Sequence, residues 1–137
     1  MEKIFVSTYG IIENNGKILV LLRKSNDSFS SDKWGLPGGT MNFGEDGIDS
    51  LKRNVKSDCG LEIEVLSPID VCVDVNEDKK EQNVAISYVS ELKSGQVKLA
   101  KNIKEFKWID PKKVPDLEEL DWVLEKVIYP YIEMISA

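Results

Sequence analysis

Two carboxylates, an arginine, an amide and a hydroxyl stand close together in the first half of this chain: Glu45, Arg53, Asn54, Ser57 and Asp58. Residues 54, 57 and 58 are spaced i, i+3, i+4, so on a helix their side chains share one face. That face would present an amide oxygen, a hydroxyl and one carboxylate. Glu45 reads two ways: as a carboxylate serving that face, or as a solvated acid near a helix start, where the dipole favours negative charge. Arg53 reads three ways: paired with Glu45, in contact with a ligand phosphate, or as a surface arginine. Arg23, Lys24 and Lys33 could meet phosphates, or be ordinary surface cations on a chain with 18 Lys and Arg. Trp34, Phe43, Tyr88 and Trp108 could stack on a base, with core packing the better fit for Trp108. The chain has no histidine, which removes imidazole bases and imidazole metal ligands together.

These residues need a helix and a sheet to hold them. Residues 46–58 read as the helix, with Asp46 as N-cap. Ile48, Leu51 and Val55 form its apolar stripe. Gly60 suits the left-handed position that ends a helix, while Gly47 weakens the first turn. Residues 4–13 and 17–24 read as strands joined by the turn Asn14-Asn15-Gly16. The second strand is nearly continuous in apolar residues, the mark of a strand covered on both faces. Residues 26–33 are polar and read as a loop. Trp34-Gly-Leu-Pro-Gly-Gly39 is a rigid approach to a short strand over 40–43. Further strands are expected over 61–74, broken at Pro68, then over 83–92 and 105–110. The spacing from Leu117 to Tyr131 predicts a C-terminal amphipathic helix, kinked or split by Pro130. Strands around a helix, then a terminal helix, give a layered α/β domain with a mixed sheet.

At 137 residues the chain is of single-domain size. A 42% hydrophobic and 31% charged composition is that of a soluble globular protein. The net charge of -6 argues against a surface that coats a nucleic-acid polymer, which would need a basic face. It leaves room for a nucleotide-like small molecule, because a cation can offset the repulsion locally. Cys59 and Cys72 have no metal or redox spacing and read as free thiols in a reducing compartment. No signal-peptide pattern opens the chain, and no apolar run is long enough for a membrane helix. A cytoplasmic protein is expected.

The run from Gly39 to Leu61 resembles the Nudix box, G-x5-E-x7-R-E-U-x-E-E-x-G-U, where U is a large aliphatic residue. Gly39, Glu45, Arg53, Val55, Gly60 and Leu61 stand in their places. The lead-in Trp34-Gly-Leu-Pro-Gly38 is similar to the W-x-x-P-G that commonly precedes the box. The strand ending in Arg23-Lys24 and the segment Glu105-x-x-Trp108 also fit. The resemblance spans nearly the whole chain. It implies a MutT-like α/β/α sandwich with a mixed β-sheet, one domain over 1–137, and a loop-helix-loop box over 39–61. It also implies hydrolysis of a nucleoside diphosphate linked to another moiety, using magnesium or manganese. The metal-holding groups it implies are the Gly38 carbonyl, Asp58 and Glu105, with Glu45, Arg53 and Asp58 as catalytic residues. Arg23, Lys24 and Lys33 would border the ligand, a homodimer is open, and no membrane contact is implied.

The chain departs from the family where the metal should sit. Three of the four box glutamates are replaced, by Asn54, Ser57 and Asp58. Magnesium wants oxygen ligands in near-ideal octahedral geometry at about 2.0–2.1 Å. Asparagine and serine bring no charge, and aspartate is one methylene shorter than glutamate. The usual family mechanism is therefore expected to be strongly weakened or absent, and a binding module on the same scaffold is the alternative.

Overall fold

The computed structural model describes residues 1–25 and 32–137. Its elements, in chain order, are β1 (Lys3–Asn14), β2 (Lys17–Arg23), β3 (Lys33–Gly35), β4 (Gly38–Thr40), α1 (Gly47–Cys59), β5 (Glu62–Asn76), β6 (Glu81–Ser94), β7 (Ile103–Ile109) and α2 (Trp122–Ser136). A short 3-10 helix, Pro111–Asp116, precedes α2. Most of the loop expected over 26–33 lies outside the described residues, and Lys33 already belongs to β3.

The sheet is mixed, as expected. β1 runs parallel to β6, and every other pairing is antiparallel. Helices cover both faces, which explains the unbroken apolar run of β2. Ile18 and Val20 face the cluster built on α2, with Leu124, Val127 and Ile128. Leu19 and Leu21 face the cluster built on α1, with Leu51, Val55 and Cys59. Ile11 and Ile12 of β1 divide between the two faces in the same way. The expected α/β/α sandwich is what the chain builds.

One detail positions the site. β1 and β2 leave the turn Asn14–Gly16 as a hairpin but pair only at Glu13↔Ile18 and Asn14↔Lys17. They then diverge, and the segment 33–40 fills the fork. Its first part, β3, pairs with β2 at Leu21–Arg23. Its second part, β4, pairs with β1 at Ser7–Tyr9. The ladders on both sides pin the entry to α1 by its backbone.

Four boundaries differ from expectation. The strand placed over 40–43 is Gly38–Thr40 instead, because the chain turns through Phe43 and Gly44, the latter at φ 81. β5 does not break at Pro68. It runs at the sheet edge and absorbs the proline between two register shifts, Val65/Ser67 and Pro68/Asp70. β7 begins earlier, at Ile103. The last helix starts at Trp122 rather than Leu117, because the Asp121 side chain caps it by accepting from the Leu124 N–H at 2.8 Å. Pro130 does not split α2, which runs through it to Ser136.

Candidate active site

Helix α1 begins and ends as its sequence requires. Asp46 accepts from the Asp49 N–H at 2.9 Å, and Gly60 closes the helix at φ 71, donating to the Lys56 carbonyl. Its inward side is wider than an apolar stripe. Leu51, Val55 and Cys59 are buried, whereas Ile48 is 42% exposed, a correction to the expected stripe. A polar row lies beside the apolar one: Ser50, Asn54 and Asp58, spaced i, i+4, i+8. Ser50 is fully buried and its hydroxyl accepts from Thr8 of β1 at 3.1 Å. The Asn54 amide donates to the Ser50 carbonyl at 3.0 Å and to the Thr40 carbonyl at 3.3 Å. Ser57 is exposed and does not join this row.

Gly39 lets the helix come this close. A Cβ there would meet Asn54 Oδ1 at 2.7 Å. Gly38 sits at φ 146, a conformation side chains rarely adopt, and a Cβ would run into the Thr8 carbonyl.

Two arginines organise the carboxylates. Arg53 grips Glu45 through Nε at 2.7 Å and Nη2 at 3.0 Å, and its Nη2 also donates to the Thr40 carbonyl at 2.9 Å. Glu45 in turn accepts from the Asn42 N–H at 3.0 Å. The Arg53 hydrogen bond, then the Asn42 N–H, hold the Glu45 carboxyl down at about 2. Of the three readings of Arg53, the structure shows the pair with Glu45.

Arg23 makes the second clamp. Its Nη2 lies 3.0 Å from Asp58 Oδ2, 3.2 Å from the Leu36 carbonyl and 3.3 Å from the Gly38 carbonyl. The two side chains keep 26% and 15% of their surface, so the pair is largely shielded from water. Beneath it lie two groups that spacing did not single out. Asp121 packs its carboxylate over Gly35, and burial raises its pKa against the opposing pull of the Leu124 N–H and Arg23. Burial, with the charge of Asp121 nearby, also raises the Tyr9 hydroxyl.

The structure thus brings Arg23, Gly38 and Asp58 together, and Glu45 with Arg53 beside them. It does not bring Glu105 to Asp58. Glu105 pairs with Leu22 across the β2–β7 ladder, on the face covered by α2, and is exposed. Lys24 and Lys33 are exposed, and among the described residues neither forms an ion pair with Asp58. Trp34 is buried with Lys107 over its ring at 5.2 Å, and Trp108 packs in the α1-side core. Of the four aromatic candidates only Phe43 is fully exposed. Cys59 and Cys72 are free and buried, and burial pushes the Cys59 thiol up to about 12. Among the described residues no cluster of three or more His, Cys, Asp or Glu side chains could hold a metal ion.

The profile of the NUDIX domain matches residues 3–131. The chain belongs to the Nudix family. A relative, an ADP-ribose pyrophosphatase of Methanocaldococcus jannaschii, is 29% identical over 127 residues, covering 93% of this chain and 72% of that protein. An RNA pyrophosphohydrolase of Ruthia magnifica is 40% identical over 58 residues, covering 42% of this chain and 31% of that one. The crystal structure of a MutT protein from Methanosarcina mazei superposes with a TM-score of 0.85 at 22% identity, over 99% of this chain and 98% of that one. A MutT Nudix hydrolase from Burkholderia pseudomallei gives 0.83 at 21% identity, over 94% and 98%. Nudix hydrolases generally use divalent metal ions. No helix of this Nudix chain, among the described residues, is long and apolar enough to cross a membrane.

Proposed function

We propose that this Nudix protein binds a nucleoside diphosphate linked to a further group, and that its hydrolysis is strongly weakened or absent. The observation that carries the reading is the state of Asp58. It is the last carboxylate on the metal-facing side of the box helix, and it is tied to Arg23 at 3.0 Å. A positioned general base contributes typically about 10²–10⁴ in rate, and a metal adds to that. A helix that keeps one short, paired acid supplies little of either. Binding needs less. The partly accessible guanidinium of Arg23 and the exposed ring of Phe43 support contacts to a phosphate and a base.

A second reading keeps full turnover, with magnesium or manganese held at the Gly38 carbonyl and Asp58, without Glu105, and with Glu45 and Arg53 assisting. The similarity to an ADP-ribose pyrophosphatase over 93% of the chain favours it. We further propose a cytoplasmic setting, in keeping with two unpaired buried thiols, and a homodimer through the open edge of the sheet.

The deciding experiment incubates the purified chain, and its Asp58→Asn variant, with a panel of nucleoside diphosphate compounds plus magnesium or manganese. The expected result is ligand-dependent thermal stabilisation with little or no product. Rapid turnover that vanishes in Asp58→Asn would establish the second reading instead. A panel that neither stabilises the chain nor is hydrolysed would remove both.

A further inference from the structure

The donor set around Asp58 does not fit a divalent ion. Magnesium keeps several of its waters and is held in a protein through one or two ionised carboxylates together with substrate phosphates, so those carboxylates must be free to face it. Here Asp58 Oδ2 and the Gly38 carbonyl both point at Arg23 Nη2, at 3.0 and 3.3 Å, and the Leu36 carbonyl joins them at 3.2 Å. Asn54 turns its amide nitrogen to Thr40 and Ser50, so its contacts are those of a helix fastener. Glu45 is neutralised by Arg53. Asp58 and Glu45 are therefore each matched by an arginine, and within these two pairs the charges cancel without any added ion.

We propose that Arg23 is the resident cation of this side-chain cluster, so that a diphosphate group is held by its guanidinium without a divalent metal. A guanidinium is planar, permanently charged and carries five N–H donors. Among the described residues one nitrogen, Nη2, takes all three acceptors. That leaves the rest of the fork for an anion, and the side chain is 26% accessible. Asp58 aims the arginine and offsets its charge until a ligand arrives. The proposal rests on the cluster being a diphosphate site, and it adds that the metal is dispensable there.

Inorganic pyrophosphate is the probe, titrated calorimetrically into the full chain with excess chelator and again with magnesium. Binding is expected in chelator, changed less than about threefold by magnesium. Arg23→Met should weaken it at least tenfold, and Arg23→Lys, which keeps the charge but not the fork, should fall between. Asp58→Asn should bind as tightly as the native chain or tighter, since a competing charge is gone. Thermal melts of each variant check that it is folded, and Arg23→Lys stands as the charge-retaining control should Arg23→Met unfold. Binding that requires magnesium, no binding in chelator, loss of binding in Asp58→Asn, or indifference to both Arg23 variants would each overturn the proposal. The two proposals fail separately. Metal-free pyrophosphate binding with no nucleotide ligand sinks the nucleotide reading alone, whereas nucleotide binding only with a metal sinks this one alone.

Discussion

At the scale of single residues, opposite charges have been used to fix shape. Glu45 illustrates it. Its carboxyl is held at about 2, first by Arg53 and then by the Asn42 N–H. A folded-state value depressed below the unfolded one means stability that is present above the ordinary glutamate range, near 4.5, and lost as pH falls toward 2. Its partner Arg53 keeps 42% of its side chain exposed, so the effect is partly screened by salt and modest. Carbon-detected carboxyl titration should place the Glu45 midpoint near 2. In Arg53→Gln it should return most of the way to the ordinary value, and a midpoint that stays low would show that the Asn42 N–H alone sets it. Such pairing was only half visible in the sequence. Glu45 and Arg53 lie within one loop and helix, so their meeting was among the readings open. Arg23 and Asp58 lie 35 residues apart. Nothing local could reveal that β2 ends beneath the end of α1, because that contact is made by the sheet.

At the scale of elements, α2 carries the sharpest test. Asp121 caps it from a buried position where the charged form is disfavoured. Asparagine caps about as well as aspartate, whereas alanine costs about 1 kcal/mol. Asp121→Asn should therefore keep the cap and shed the desolvation cost, raising Tm at pH 7, while Asp121→Ala lowers it. The sign with pH follows from the raised value. The folded state holds the Asp121 proton more tightly, so the native chain gains relative to Asp121→Asn as pH falls, and loses again as pH rises through the folded value. Equal melting of native and Asp121→Asn at every pH between 3 and 8 would refute this. Most element types were readable: Asp46 and Gly60 bound α1, and apolar alternation marks the strands. What was not readable is rotation and capping across distance. Ile48 looked like core, but the helix is turned so that Ser50, Asn54 and Asp58 face inward, because β1 and β4 offer Thr8 and carbonyl partners there. Leu117 and Leu120 kept a helical spacing while packing from the segment before the cap.

At the scale of the whole molecule, the sheet has an uneven finish. Its β2 side is closed by β3 and β7, but β5 ends it as a long open strand. Cys72 on that strand turns inward, so Val71, Val73 and Val75 turn the other way, beyond the reach of α1, and are 58, 47 and 55% exposed. An open edge with an apolar row invites pairing with another strand. If the proposed dimer forms there, sedimentation at tens of micromolar should show a dimer for the native chain and a monomer for Val73→Lys, with unchanged melting of the monomer. A native chain that sediments as a monomer at all concentrations rules this contact out.

The fork between β1 and β2 has a bearing on how such a protein can change over generations. The turn that presents the site is carried by main-chain ladders to two strands, and those ladders do not read side chains beyond the glycines. Ser57, which is exposed, can therefore be exchanged with little penalty to folding, whereas Asn54 and Asp58 also fasten the helix to Thr40 and Arg23. The same independence lets the path run backwards. A lineage that lost turnover on this frame would keep a folded starting point from which a few substitutions could restore it.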